Sequence, residues 1–250
     1  WLQNRIWPLE AKLDGRAVYW GSLLGIAEMI RTGTTCFADM YFFMEETAKA
    51  AADSGIRAVL SRGLTGSSAA DGAARLEENT ELYKTWNGAQ NGRITVMFGP
   101  HAPYTCSPDY LESVIARARE LGAEIHMHLS ETAGEVADCR KKYGKSPIAL
   151  MESLGMFEGG TLAAHCVHVD EEDMDIMARH GVRVAHNPQS NLKLASGIAP
   201  VARMLEKGIT VGLGTDGASS NNNLDMLEEV RLAAMLAKTQ SGDPKAVPAS

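Results

Sequence analysis

The chain has 250 residues, of which 45% are hydrophobic and 22% charged, and its formal net charge is -7 at pH 7. These fractions are typical of a globular protein and exclude an intrinsically disordered one. An acidic balance with no block of Lys and Arg argues against a nucleic-acid partner. No stretch approaches the roughly 20 consecutive apolar residues that a membrane-spanning helix needs, so no membrane partner is expected either.

Short apolar runs alternate with amphipathic stretches from one end of the sequence to the other. Most runs are rich in β-branched residues, Ala or Met and do not alternate strictly with polar residues, which is typical of parallel strands buried on both faces. The runs that predict strands are residues 34–38, 57–61, 94–98, 123–129, 161–167, 182–185 and 210–213.

The stretches between these runs have recognisable helix ends. Ser107 and Pro108 predict the start of a helix that continues over residues 110–121, and Gly122 predicts its end in a left-handed conformation. Asp170 is the predicted N-cap of a later helix, whose acidic first turn suits the positive end of a helix dipole. The polar tail, residues 241–250, is expected to leave the last helix as a loop.

Strand–helix units repeated in series predict an α/β fold with a parallel sheet. Either an open doubly wound sheet or a (β/α)8 TIM-like barrel can hold them. No Gly-x-Gly-x-x-Gly motif follows the first predicted strand, where a dinucleotide-binding open sheet would carry it, so the barrel is favoured. No linker divides the chain, and residues 1–250 are expected to form a single domain.

The cysteines are widely spaced and form no Cys-x-x-Cys pair, which argues against a zinc–thiolate cluster. They are expected to be free, buried thiols that behave as small apolar side chains. Free thiols also predict a reducing, cytoplasmic location. The cysteines are Cys36, Cys106, Cys139 and Cys166.

The predicted strands repeatedly end in residues that are capable of chemistry. In a parallel barrel the carboxyl ends of the strands meet at the active site. Buried ionisable groups cost several kcal/mol unless they are paired or bound to a metal, so chance does not favour them at these positions. The residues are Asp39, Arg62, His101, His128 with Glu131, His165 with His168, His186, and Asp216.

Histidine and aspartate together predict a metal site. Imidazole nitrogens and carboxylate oxygens are the ligands of catalytic zinc and iron, and the metal lowers the pKa of bound water from about 16 toward about 7. Glu131, three residues after His128, either moves the proton of this water or is a first-turn helix glutamate that the dipole stabilises. A metal with a nearby carboxylate is what deamination or amide hydrolysis requires.

Five motifs, in this order along the chain, resemble those of the amidohydrolase superfamily of metal-dependent hydrolases. Within it they look most similar to the 5′-methylthioadenosine/S-adenosylhomocysteine deaminases. The motifs are specific for the superfamily and less specific for the substrate. They lie at residues 99–104, 126–132, 164–168, 186–197 and 214–217.

The resemblance implies a distorted barrel with one divalent metal, for which zinc is expected and iron or manganese are alternatives. His128 and Asp216 match metal ligands at the ends of the fifth and eighth barrel strands. Glu131 matches the proton shuttle, and His165 matches the histidine that hydrogen-bonds the water or the developing oxyanion. Asp216 matches, in addition, the group that takes the proton of the attacking water.

Three further residues resemble substrate contacts of the family. Arg62 and His101 match residues that touch the substrate, and Glu10 matches the acidic residue that binds the ribose hydroxyls. A carboxylate suits vicinal hydroxyls because both can donate to it. Without the resemblance, Glu10 would be interpreted as a solvent-facing helix residue and Arg62 as an ion pair at a strand end.

The superfamily's first barrel strand ends in a His-x-His pair of metal ligands, and its chain ends build a small β-sandwich. Neither has a counterpart in this sequence, so strands two to eight of the barrel and a fragment of a longer protein are expected. His126 shares a strand face with His128 and looks like half of such a pair, but the Leu-Ser-Glu-Thr that follows assigns both to the fifth strand. We expect the whole protein to bind metal and this chain alone to bind it weakly or not at all.

The leading hypothesis is hydrolytic deamination of the adenine ring of a nucleoside: S-adenosylhomocysteine, 5′-methylthioadenosine or adenosine. A second hypothesis keeps the machinery and changes the ring to guanine, cytosine or an s-triazine. Glu10, Arg62 and His101 favour a nucleoside because a bare base has no ribose to hold. A third hypothesis is a catalytically silent barrel fragment. Association into a homo-oligomer is an open expectation.

Overall fold

The computed structural model describes residues 2–248, over which strands alternate with helices. The strands are β1 (Cys36–Tyr41), β2 (Arg57–Leu64), β3 (Ile94–Val96), β4 (Gly99–Pro100), β5 (Ile125–Leu129), β6 (Thr161–His165), β7 (Arg183–His186) and β8 (Val211–Leu213).

The helices cover the intervals between the strands. They are α1 (Trp7–Glu10), α2 (Gly15–Arg31), α3 (Met44–Ser54), α4 (Ala69–Trp86), α5 (Ala89–Gly92), α6 (Pro108–Leu121), α7 (Ala133–Tyr143), α8 (Pro147–Ser153), α9 (Glu171–Arg179), α10 (Pro188–Lys193), α11 (Val201–Glu206), α12 (Ala218–Asn221) and α13 (Met226–Ser241). A π-helical segment, Leu2–Ile6, and a 3₁₀ turn, Met156–Gly159, complete them. Within residues 2–248, no helix is both long and apolar enough to cross a membrane.

The strands pair in chain order, and every pairing is parallel. One group runs β1–β2–β3 with β4 also on β2, and the other runs β5–β6–β7–β8. A bridge between Phe98 and Ile125 joins the groups, and the His128 amide donates to the His101 carbonyl at 3.0 Å. This is the strand order of a (β/α) barrel, so the fold class predicted from the sequence is confirmed. Among the described strands, none pairs β1 with β8.

Two of the predicted strands end earlier in the structure than in the sequence prediction. The run at residues 94–98 ends as a strand at Val96, and a separate short strand, β4, begins at Gly99. Gly99 lies so close to β2 that an added Cβ would be 2.7 Å from the Arg62 carbonyl oxygen. The run at residues 161–167 ends as a strand at His165, because His165 and Cys166 have positive φ angles of 72° and 49°. These conformations direct the chain away from the sheet.

The predicted helix ends are largely present. Asp170 caps α9 in a reciprocal capping box with Asp173, and Gly122 ends α6 with φ of 65°. Ser107 occupies the N-cap position of α6, but its side chain makes no capping hydrogen bond. The last helix ends at Ser241, and residues 249–250 lie outside the described part of the chain.

The cysteine prediction is correct for three residues and wrong for one. All four thiols are free; Cys106, Cys139 and Cys166 are buried, whereas Cys36 is exposed. Cys36 is the first residue of β1, which has a strand partner on one side only within residues 2–248. Its exposure therefore follows from its position on a sheet edge.

Tyr110 of α6 packs against a flat surface that α4 provides, and this close contact depends on Gly72. Tyr110 is fully buried, and a Cβ added at Gly72 would lie 2.1 Å from its ring. We expect Gly72→Ala to lower the free energy of unfolding by about 1–3 kcal/mol, because overpacking outweighs the gain in helix propensity. Chemical denaturation measures the change. Gly21→Ala, in α2 with no atom within 4 Å of its added Cβ, is the control and should be neutral or stabilising.

Candidate active site

The carboxyl ends of β5, β6 and β8 are formed by residues in a left-handed backbone conformation that non-glycine residues rarely adopt. Ser130, His165 and Asp216 have φ angles of 52°, 72° and 60°. Each such residue costs about 1–3 kcal/mol and persists only where its surroundings hold it in place. Their concentration at one end of the barrel marks this end as the candidate site.

Histidine rings from neighbouring strands lie together at this end. The ring centroid of His128 is 4.9 Å from that of His101, 5.5 Å from that of His165 and 6.2 Å from that of His126. Burial, reinforced by the neighbouring imidazoles, lowers the pKa of His101 and of His126 to about 3 and lowers the pKa of His128 as well. These rings are therefore neutral near pH 7, which is the form that binds a metal.

His128 is oriented by the preceding strand. Its Nδ1 lies 2.7 Å from the carbonyl oxygen of His101. A carbonyl oxygen only accepts, so Nδ1 carries the hydrogen and Nε2 keeps a free lone pair. A backbone acceptor on one ring nitrogen is the usual arrangement behind a metal-binding histidine.

Asp216 is held by two donors after β8. The Ser190 hydroxyl donates to Oδ2 at 2.7 Å, and the Gly217 amide donates to Oδ1 at 2.6 Å. Each carboxylate oxygen has a second lone pair, so Asp216 can still bind a cation. Asp39 lies within β1, and burial together with the charge of Asp216 raises the pKa of Asp39 to about 6.

His128 and Asp216 suit a divalent metal because neutral imidazole and carboxylate are its ordinary ligands. They are two ligands rather than a complete set: among residues 2–248, no three His, Cys, Asp or Glu side chains are grouped closely enough to hold a metal. His126, the other histidine of β5, has its Nδ1 3.4 Å from the Ser61 hydroxyl.

Glu131 lies on a turn that a second glutamate holds in place. The buried Glu135 carboxylate accepts from the amides of Ser130 and Glu131, at 2.9 and 2.8 Å. The Glu131 carboxylate accepts at Oε1 from the Ser196 hydroxyl at 3.1 Å, and its Oε2 lies 3.9 Å from His165 Nε2. The turn therefore directs the Glu131 carboxylate toward His165.

His165 is buried and oriented by Asn191 of α10. Its Nδ1 is 2.8 Å from Asn191 Oδ1, which accepts, so Nδ1 carries a hydrogen and Nε2 is the ring nitrogen near Glu131. His186, at the end of β7, is also buried; burial lowers its pKa to about 4, and its Nδ1 has no hydrogen-bond partner among the described residues.

Of the three residues with predicted substrate contacts, Glu10 ends α1, Arg62 lies within β2, and His101 directly follows β4. Glu10 Oε1 accepts from the Tyr41 hydroxyl at 2.8 Å, and Tyr41 is the register partner of Arg62 on the adjacent strand. His101 belongs to the histidine cluster, and its Nδ1 is 2.9 Å from the Thr105 hydroxyl.

The guanidinium group of Arg62 already interacts with other side chains of the protein. Its Nε is 2.6 Å from Glu78 Oε2, and its guanidinium lies 5.0 Å above the Phe42 ring. This corresponds to the ion pair that would be expected from Arg62 without any resemblance.

Four residues that orient this site were given no such role by sequence reasoning: Ser190, Ser196, Glu135 and Tyr41. Ser190 and Ser196 lie within the motif at residues 186–197, but the motif alone does not indicate which side chains they contact. Thr132 and Glu135 have the spacing of a capping box, a signal that could have drawn attention to Glu135. Its carboxylate accepts from the two amides before Thr132 instead of from Thr132 itself.

A cavity of about 320 Å³ lies away from these residues, toward the amino ends of β5, β6 and β7. Glu124, Leu162 and Arg183 are among its lining residues, and none of the proposed site residues is. The convergence of ionisable groups, rather than cavity size, therefore locates the candidate site.

Comparison with known proteins identifies the family of the chain. A model of the amidohydrolase family matches residues 1–250. The chain belongs to the amidohydrolase family. A 5-methylthioadenosine/S-adenosylhomocysteine deaminase of Dictyoglomus thermophilum is 59% identical over 249 residues, which are 100% of this chain and 58% of that protein. A protein of the same name from Carboxydothermus hydrogenoformans is 55% identical over 247 residues, 99% of this chain and 57% of that protein.

The solved structures agree with the barrel fold. An adenosine deaminase from Xanthomonas campestris with bound zinc superposes with a TM-score of 0.93 and 37% identity, over 99% of this chain and 57% of that one. A guanine deaminase from C. acetobutylicum, at 24% identity, has a TM-score of 0.87 over 100% of this chain and 63% of that one and shows the same fold. The chain thus spans about 58% of the length of the curated relatives it matches.

Proposed function

We propose that the whole protein containing this chain is a metal-dependent hydrolase that deaminates the adenine ring of adenosine-type nucleosides. The observation that carries the proposal is the arrangement of Glu131, with one oxygen hydrogen-bonded by Ser196 and the other 3.9 Å from His165 Nε2. A carboxylate and an imidazole placed in this way can move a proton between water and a substrate nitrogen. Curated relatives named as deaminases of such nucleosides support the substrate class.

One divalent metal is proposed as the cofactor, held in part by His128 and Asp216. It would supply a reactive water at neutral pH by lowering the pKa of that water toward about 7. Zinc is proposed because the adenosine deaminase at 37% identity carries it; iron and manganese accept the same ligands. We propose that further ligands come from outside these 250 residues and that the chain alone holds the metal weakly.

Residues of this chain would transfer the protons between the water and the substrate. Glu131 takes a proton from the attacking water and delivers it to the ring nitrogen beside the carbon under attack. His165, oriented by Asn191, would accept a hydrogen bond from the water through Nε2 and so direct the water oxygen at the ring carbon. Asp216 would take the remaining proton of the added hydroxyl and pass it to the amine, which leaves as ammonia.

Glu10, Arg62 and His101 are proposed to contact the nucleoside. Glu10 uses one oxygen for Tyr41, which leaves its second oxygen for ribose hydroxyls. Arg62 would have to leave Glu78 or contact the substrate through its remaining donors.

The wider assignments are proposals of the same kind. Residues 1–250 form one incomplete barrel domain, comprising strands two to eight of the family barrel. The partner is a small-molecule nucleoside, with no nucleic acid and no membrane; the location is cytoplasmic, as the free thiols favour.

Ammonia release by the whole protein tests the function. We expect higher kcat/KM for S-adenosylhomocysteine, 5′-methylthioadenosine or adenosine than for guanine, cytosine or an s-triazine. Preference for a free base or triazine would move the substrate to the second class while keeping the machinery. No turnover of any of these substrates by the metal-loaded whole protein would favour the catalytically silent alternative.

A further inference from the structure

His168 is a strand-end histidine to which the proposed reaction assigns no role. It lies three residues beyond His165, and its Nε2 is 2.6 Å from the carbonyl oxygen of Ser196. Because a carbonyl oxygen only accepts, Nε2 of His168 carries the hydrogen and donates it. The backbone amide of His168 donates in turn to the Ser130 carbonyl at 2.8 Å. His168 therefore connects the end of β5 to the loop that carries Ser196.

Ser196 completes a circuit of hydrogen bonds around Glu131. Its hydroxyl donates to Glu131 Oε1 at 3.1 Å, and Glu131 follows Ser130 in the chain. Ser196 is only 6% exposed, and its amide donates to the Asn191 carbonyl at 2.8 Å. The segment formed by α10 and the loop after it thus orients His165 through Asn191 and Glu131 through Ser196.

The loop has little freedom to move away from His168. Gly197 has φ of 126°, and a Cβ added there would be 3.0 Å from Val167 and 3.5 Å from the His168 ring. Ala195, on the other side of Ser196, is also left-handed, with φ of 57°. Glycine adopts a positive φ without strain, whereas alanine does not, so the conformation of Ala195 persists only where contacts hold it. The hydrogen bond from His168 to the neighbouring Ser196 is one of these contacts.

We propose that Ser196, positioned by His168, reserves Oε1 of Glu131 and thereby makes Oε2 the oxygen that gains and returns the proton. This inference rests on the proposed function. In the reaction, Oε2 accepts the proton as the water oxygen bonds to the ring carbon. The π electron pair of the ring C=N bond moves to the nitrogen, and Oε2 then returns the proton to that nitrogen. Ser196 and His168 are positioning residues, since they act through Glu131.

Replacement of the serine in the whole protein is the first test. We expect Ser196→Ala to lower kcat roughly 10- to 100-fold, the range for losing one hydrogen bond to a charged group, with KM changed less than about twofold. Ser196→Thr, which keeps the hydroxyl, should restore most of kcat. Ser113→Ala, on the surface of α6, is the matched control. An unchanged kcat in Ser196→Ala, or an effect on KM alone, would overturn the proposal.

The histidine is tested in the same way. His168→Ala should lower kcat, whereas His168→Gln retains a donor for the Ser196 carbonyl and should recover part of the loss. His180→Gln, which alters a surface contact with Glu152, is the control. Equal activity of His168→Ala and the unmodified protein would show that Ser196 needs no such support and would contradict this part of the proposal.

Crystal structures provide a readout that does not depend on turnover. In Ser196→Ala the Glu131 carboxylate should rotate away from the orientation that places Oε2 toward His165, and in Ser196→Thr it should keep it. A Glu131 carboxylate that stays in place in Ser196→Ala would refute the positioning role even if activity fell. Failure of the unmodified protein to release ammonia would refute the deaminase assignment, and the carboxylate orientation would still decide the role of Ser196.

Discussion

Glu131→Gln is expected to lower kcat for nucleoside deamination by roughly 10²- to 10⁴-fold, the usual contribution of a general acid–base group. Glutamine has nearly the same shape and can still accept from the Ser196 hydroxyl, so the site should keep its geometry. Its amide cannot take a proton from water at neutral pH. KM should change little because the loss falls on the proton transfer, and steady-state ammonia release measures both constants.

Glu81→Gln is the matched control for this substitution. Glu81 lies on the exposed surface of α4, where it pairs with Lys84 at 2.7 Å. It should leave kcat, KM and the melting temperature unchanged, because exposed ion pairs contribute about 0–1 kcal/mol. A Glu131→Gln protein that kept kcat within tenfold of the unmodified enzyme would remove Glu131 from the proton path.

The barrel could be predicted from the sequence because buried parallel strands and helix ends have local signals. Apolar runs, helix caps and glycines at helix ends depend on neighbouring residues, and the structure has a strand at every predicted run. The places where strands end were less accurate. His165 is an example: a non-glycine residue avoids positive φ locally, and only tertiary contacts such as the bond to Asn191 hold it there.

Candidate site residues could be predicted from the sequence because ionisable side chains recur at the ends of the predicted strands. The residues that hydrogen-bond to them could not be predicted. Ser196 and Glu131 are 65 residues apart in the chain, and Asn191 and His165 are 26 apart. Nothing local in the sequence indicates such contacts, since they arise when loops from neighbouring barrel strands meet. Arg62 differs from these residues. The resemblance assigns its side chain to the substrate, but in the structure that side chain forms an ion pair with Glu78 on the following helix.

Asp216→Asn is expected to lower the metal affinity of the whole protein by more than about 100-fold, beyond the 10- to 100-fold range of residues that only support a ligand. The Gly217 amide requires an acceptor at Oδ1, so the new NH₂ group would replace Oδ2 beside Ser190. The ligand loses its negative charge and one acceptor oxygen, and activity should fall with the metal content. Metal analysis after dialysis against a chelator, together with ammonia release, measures both effects.

Two further variants distinguish the loss of a metal ligand from a disturbance of the loop around Asp216. Ser190→Ala removes one donor to Asp216 and keeps its charge, so it should weaken metal binding by only about 10- to 100-fold. Asp175→Asn, at a surface pair with Lys207, should leave the metal in place.

The 250-residue chain alone should retain less metal than the whole protein under the same dialysis, because His128 and Asp216 are only part of the proposed ligand set. One tightly held ion per isolated chain would overturn the prediction that the chain alone binds the metal weakly. Full metal content in Asp216→Asn would remove Asp216 from the proposed ligands.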